Sequence, residues 1–376
     1  MNVKTESAIK RDLLLFPAVI WITIYAFLGR TNFSFNWNGI YGLPLKIESV
    51  CWIIVIFYAV YNILIEEEMT RKTLFICLVL LGIIAPNNLF ILWVALAGRS
   101  MKTWLSIGVG IYISMFGLTM IAACAGIIGM GTHGAWEGNF LGMQTEGQFG
   151  FVLLFLLLQV AILKQGQFRY YEYVAICIII FLNARIFVKR NPNICMVIFV
   201  IMLIGHQIYL QLGEGKAEQK LVSTLQKYFF DYSFILAFGI FTVCVFFRNF
   251  FQLLQPRFKW LRTLILRFDD TAEMWKTFPI TLFGRNIRTY NGKNATVLLL
   301  DPQYSSTLIL DGLVVFVVMM LISTYFMVKA RKQGYGTMYI ALMVMALFSI
   351  SDPVAWGLSL NFLIALPFSN WDIKDS

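Results

Sequence analysis

The sequence predicts an all-α, polytopic membrane protein: a helix bundle of about 10 to 12 spanning segments with one large external loop between its late spans. Three observations lead there. Hydrophobic residues make up 59% of the chain and charged residues only 13%, against about 25% charged in soluble domains. Apolar runs near the roughly 20 residues that cross a bilayer core recur along its whole length. Between them lie short loops rich in Lys and Arg and a single long polar segment, 248–306. The chain therefore divides into a transmembrane bundle over 1–247, a basic extracytoplasmic loop over 248–306, and C-terminal spans with a short tail over 307–376.

The positive-inside rule sets the order of crossings. Lys4, Lys10 and Arg11 keep the N-terminus in the cytoplasm, so the run 13–28 crosses outward and 47–65 returns to the charged loop 66–72. Two short runs follow, 73–85 and 89–97, separated by Pro86-Asn87-Asn88. Each is below spanning length, which leaves two short spans or one re-entrant pair. Arg99 and Lys102 bring the chain back inside. The run 104–127 then delivers a glycine-rich external loop holding His133, Trp136, Glu137 and Glu146 and no Lys or Arg. Spans over 149–163, 172–188, 194–212 and 229–247 alternate from there, and 307–328 returns to Lys329, Arg331 and Lys332. Two shorter segments, 335–350 and 354–368, flank Ser351-Asp352-Pro353 and leave an acidic tail inside. The first run lacks a small-residue cleavage site and is expected to remain as a span.

The net charge of +10 thus belongs mainly to loops, and nucleic-acid binding is not expected. Cys51, Cys77, Cys124, Cys177, Cys195 and Cys244 lie in apolar runs without paired spacing, which argues against a zinc site or a disulfide framework. No P-loop, no Gly-x-Gly-x-x-Gly opening a helix, and no His-Glu-x-x-His or Gly-x-Ser-x-Gly pattern is present. Neither metal nor cofactor is expected.

Two basic clusters break the charge rule by falling outside: Arg185, Lys189 and Arg190, and the long segment. The segment carries Arg248, Arg257, Lys259, Arg262, Arg267, Lys276, Arg285, Arg288 and Lys293 against Asp269, Asp270, Glu273 and Asp301. Within it Phe258, Leu261, Ile265, Phe268, Ala272 and Trp275 recur at helical spacing. Such a helix either lies flat on the outer membrane surface or packs on the ends of the spans. Arginine at a span end costs energy, about 2.5 to 3.5 kcal/mol at the bilayer centre and much less at the interface. Guanidinium binds phosphate oxygens in a two-pronged fork, so external arginines suit a pyrophosphate at the headgroup level. The plainer alternative is contact with lipid headgroups. Likewise His133 reads equally as a loop residue, Asp301 as a helix cap, Asp352 as a turn residue, and Trp136 and Tyr304 as interfacial anchors.

The order Thr281-Leu282-Phe283-Gly284, a polar gap, Asp301-Pro302-Gln303-Tyr304, then Leu310-Asp311-Gly312-Leu313 entering a span resembles the large external loop of Wzy-type polysaccharide polymerases. Those are membrane proteins of capsule, exopolysaccharide and O-antigen pathways, similar in architecture to O-antigen ligases. Leu266-Arg267-Phe268 resembles the arginine before that loop's helix, and Asn183 to Asn191 resembles the end of the span with the family's Ser-Arg motif, with Lys189 in place of Ser. The stretch 139–147 keeps only Leu141-Gly142 of the pattern expected before the middle span, which leaves a polar role there to Glu146 or His133.

The resemblance implies a glycosyltransferase with undecaprenyl-pyrophosphate-linked oligosaccharide as substrate, at the outer face of the bacterial cytoplasmic membrane, with both termini cytoplasmic. The growing glycan passes with inversion to a hydroxyl of the next lipid-linked repeat unit, without a metal. Arg190 and Arg267 would hold the pyrophosphate, with Arg185 and Arg288 in support. Asp301, Glu146 and His133 are the candidates for the base, and Tyr304 for stacking on sugar. A flippase and a chain-length regulator would be partners, beside membrane lipid. Alternatives are a ligase of the same architecture, a flippase or permease for lipid-linked oligosaccharide, and a membrane scaffold without catalysis.

Overall fold

The structure is a computed structural model and describes residues 12–33, 42–85, 87–130, 141–144, 146–186, 190–211, 224–254, 262–284, 302–352 and 354–372. Regular structure in these residues is helical. In chain order the helices are α1 (Leu15–Leu28), α2 (Gly42–Ile65), α3 (Met69–Ile84), α4 (Asn88–Ala95), α5 (Met101–Cys124), α6 (Glu146–Leu163), α7 (Tyr170–Ile186), α8 (Arg190–Gln211) and α9 (Ser233–Phe246). There follow α10 (Arg248–Leu254), α11 (Arg262–Thr277), the short α12 (Gln303–Ser306), α13 (Leu313–Lys332) and α14 (Gly336–Phe348).

Among the described residues five helices are long and apolar enough to cross a membrane: Lys46–Ile65, Met101–Cys124, Asn191–Tyr209, Thr224–Phe246 and Leu313–Lys332. Their outer faces are as apolar as their inner ones. On α2, Ile53 and Phe57 are 66% and 67% exposed, and on α5 Ile121 is 66% exposed. Water would penalise that surface heavily, whereas lipid tails accept it. The chain is a membrane-embedded helical protein.

The described ends of the chain meet at one end of the bundle. Arg99 makes a buried ion pair with Asp12, Nη2 to Oδ1 at 2.9 Å. Beside it the Asn370 N–H donates to the Arg99 carbonyl at 2.7 Å, and the Lys102 N–H donates to Asp372 Oδ1 at 3.0 Å. At the opposite end the Asn32 side chain donates to the Gly129 carbonyl at 2.6 Å, and Thr31 bridges to Met143.

The short runs 73–85 and 89–97 become α3 and α4, and α4 has only eight residues, all of them buried apart from Asn88. At about 1.5 Å per residue it rises roughly 12 Å, less than half of a bilayer core of about 30 Å. Its last carbonyls are met by Asn62 of α2, whose Nδ2 donates to Val94 O at 2.7 Å and Ala95 O at 3.1 Å. Helix α4 is too short to cross on its own.

The segment 354–368 departs from the expected short span. Its only regular element is a single 3-10 turn, Phe362–Ala365, and the rest is irregular yet buried almost throughout. Irregular backbone is tolerated at membrane depth only where protein surrounds and satisfies it. Here the helices supply the partners. Trp93 Nε1 of α4 donates to Ile364 O at 2.6 Å, Tyr112 OH of α5 donates to Leu358 O, and Lys329 Nζ of α13 donates to Ser369 O at 3.0 Å and Pro367 O at 3.3 Å.

Residues 281–284 of the long polar segment are tied to the chain where it enters α13. A π-turn, Thr307–Asp311, ends at Gly312 with φ +92°, and Leu313 N and Val314 N donate to Thr281 O and Leu282 O at 2.9 and 3.0 Å. At this crossing Gly284 and Gly312 lie so close that a Cβ on Gly312 would stand 2.2 Å from Gly284 N. Neither position has room for a side chain. Gly312→Ala should therefore lower the melting temperature and the yield of protein in membranes sharply. Gly110→Ala, whose Cβ would meet nothing within 4 Å, should leave both near wild type. Equal behaviour of the two variants in thermal unfolding would refute the crossing.

Candidate functional site: a polar cluster at one end of the bundle

Helix α11 delivers the basic segment to the bundle. Ile265, Phe268 and Ala272 on its apolar face are buried, each large side chain worth roughly 1.5 to 3 kcal/mol when fully buried, while Met274 and, just past the helix, Phe278 are buried with Ile309. Phe268 and Trp275 meet Phe241 of α9 with ring centroids 5.9 and 6.5 Å apart, and Trp275 also meets Phe246 at 6.4 Å. Of the two arrangements open to this helix, packing on the span ends is the observed one. Arg248 at the start of α10 and Asp269 close the contact at 3.5 Å.

This docking carries Arg267 to the turn after α14. One guanidinium nitrogen, Nη1, donates to the Ser351 carbonyl, and the other, Nη2, lies 3.3 Å from Asp352 Oδ1. Asp352 is 4% exposed. Its second oxygen, Oδ2, accepts from Ser351 Oγ at 2.8 Å and from Asn191 Nδ2 at the start of α8. Asn191 in turn accepts a long contact from Cys195 Sγ at 3.7 Å. One turn along, Asn183 Nδ2 of α7 donates to Asn193 Oδ1 at 2.6 Å. Helix α6 closes against the same corner: a Cβ on Gly150 would stand 2.7 Å from Pro192 Cγ. The cluster thus joins α7, α8, α11 and the end of α14.

The residues singled out in the sequence fall in three groups. Arg267 stands in the cluster. Arg190 opens α8 next to Asn191, and Glu146 opens α6 one turn before Gly150, so their backbones belong to this end, while their side chains lie outside the described residues. His133, Arg288 and Asp301 also lie outside the described residues, as does Trp136. Arg185 is exposed on α7 with its guanidinium 5.4 Å from the ring centroid of Phe181 on its own helix. Tyr304 needs correction as a sugar-stacking residue. It is fully buried, donates its hydroxyl to Ala346 O at 2.9 Å, and packs among Phe238, Phe241 and Trp356. No ring face is left for a ligand.

Sequence reading took Asp352 for a turn residue and gave Asn191 no polar role, yet both are partners in the cluster. A signal was there: Asp352 is the sole acid between Asp311 and Asp372, and an acid inside such an apolar stretch needs a partner. No match to a family model, a curated protein or a solved structure was found. Among the described residues no group of three His, Cys, Asp or Glu side chains could hold a metal ion. What the cluster can do chemically is hold one guanidinium in a fixed orientation at the bundle end, where arginine forks suit phosphate oxygens.

On the same helix the Asp270 carboxyl is pushed up, by burial first and then by the neighbouring Asp269 and Glu273, with Arg267 opposing. A carboxyl raised in the folded state weakens the fold while it is ionised, and that penalty fades as pH falls through its raised pKa. Asp270→Asn should therefore raise the melting temperature at neutral pH, and the gain should shrink on acidification. Melting curves of both proteins at neutral pH and on stepwise acidification check it. A gain that grows toward low pH would contradict the assignment.

Proposed function

We propose that this chain is a glycosyltransferase of the bacterial cytoplasmic membrane that polymerises undecaprenyl-pyrophosphate-linked oligosaccharide repeat units at the outer face. The observation that carries this reading is that Arg267, from the long basic segment, and the start of α8, from the other basic cluster, come together on Asp352. The resemblance of the loop segments to polysaccharide polymerases supports it, and so does the backbone crossing of two of them, 281–284 and 310–313. In this reading the end carrying Asp12, Lys102 and Lys329 faces the cytoplasm. The bundle has about 10 to 12 segments, counting α3 and α4.

The chemistry follows from the leaving group. A pyrophosphate departs readily when its developing charge is met by fixed cations, and the acceptor hydroxyl needs alignment and a proton acceptor. Arg267 and Arg190 meet the pyrophosphate in this scheme. Glu146, which opens α6 at the same end, is one candidate for the base. His133 and Asp301 are the other candidates, and Arg185 and Arg288 give electrostatic support. A flippase would supply the substrate and a chain-length regulator would set the product.

The test is the pattern of lipid-linked and surface glycan in a strain carrying Arg267→Ala, with membrane levels of the protein measured alongside. Loss of one such stabilising group should slow transfer by about 10²-fold or more, so single repeat units should accumulate on lipid. Long chains accumulating on lipid would instead make the protein a ligase of the same architecture. Normal polymer with normal protein levels would overturn the reading.

A further inference from the structure

We infer that Asp352 is the positioning residue of this anion site: with the Ser351 carbonyl it holds the Arg267 guanidinium in the orientation that receives a diphosphate group. The inference rests on the functional reading above and adds a residue to it.

Four observations carry it. First, the two terminal nitrogens of one guanidinium are held by two acceptors from consecutive residues, Nη1 by Ser351 O and Nη2 by Asp352 Oδ1. Rotation about the last bonds of the arginine is thereby stopped before any ligand arrives. Second, the carboxylate is itself anchored. Its Oδ2 takes hydrogen bonds from Ser351 Oγ and Asn191 Nδ2, which leaves Oδ1 to the arginine. Third, the pair is nearly dry, with 14% of the Arg267 side chain and 6% of the Asp352 side chain exposed. In such surroundings orientation persists and electrostatic contacts are stronger than in water. Fourth, Asp352 is the sole acid of a long apolar stretch. Its burial is costly without a counter-ion, so a purely structural solution would more simply use a neutral residue.

The charge arithmetic selects the ligand class. Asp352 already offsets the unit charge of Arg267, so a monoanion gains little from the pair. A diphosphate carries charge enough to engage Arg267 against the offset of the carboxylate. Its planar pairs of oxygens also match a guanidinium fork.

The test uses the purified full-length protein in detergent with inorganic pyrophosphate as probe and inorganic phosphate as comparison, binding and melting temperature both being read. Wild type should bind pyrophosphate more tightly than phosphate, and Arg267→Ala should lose the binding. Asp352→Asn should weaken it about tenfold, in the range seen when partners that orient a binding group are removed, and Asp352→Glu should recover part of the loss. The exchange Arg267→Asp with Asp352→Arg should restore the melting temperature but not the binding. If Asp352→Asn binds like wild type while Arg267→Ala does not, the positioning role falls and the functional reading stands. If the charge exchange restores binding along with stability, the pair is a bundle-closing ion pair and the inference falls. If wild type and Arg267→Ala bind pyrophosphate equally or not at all, the anion site fails and takes the inference with it.

Discussion

Within a membrane-embedded bundle, backbone that is not helical has no water to bond to, and the protein must supply every partner. That constraint governs residues 354–372. The stretch is buried and mostly irregular, and its carbonyls are met by an indole, a phenol and an ammonium from α4, α5 and α13. Each of those helices is thereby tied to one central segment. The short α4 is part of the same solution: too short to cross, it is held by Asn62 from α2 and by its own Trp93 against the segment.

The two ends of the bundle use charge differently. At the end holding the described termini, Arg99 and Asp12 are buried and close the N-terminal region onto the tail. At the other end the charged helix α11 is docked by aromatic packing on α9, and only then does Arg267 reach Asp352. Apolar burial does the holding and the ion pair does the orienting. A nearly dry pair contributes little net stability, because desolvation offsets most of the attraction. Its value lies in where it places the guanidinium.

Much of this was legible in the sequence. The apolar runs, the re-entrant alternative and the apolar face of α11 follow from length and period alone, since lipid and core impose the same demand on any helix of that pattern. Arg267 stood out because a charge outside the positive-inside pattern needs a reason. Tyr304 was misread for a plain physical cause. Its neighbours Gln303 and Ser305 are polar, which suggests a surface, yet the turn before α13 folds back under α14 and buries all of them. The segment 354–368 was read as a span because composition reports apolarity and not hydrogen bonding.

By itself the sequence determined that the chain enters a membrane, where its helices run, and which segment gathers basic residues, because hydropathy and helical period are local properties. The tertiary structure alone decided that Asp352 is the partner of Arg267, that Asn191 anchors it, that Gly284 and Gly312 cross, and that 354–372 threads the bundle without a helix. Those contacts join residues from 28 to 271 positions apart. No local pattern encodes them, since each depends on where the packed helices bring distant backbone and side chains into reach.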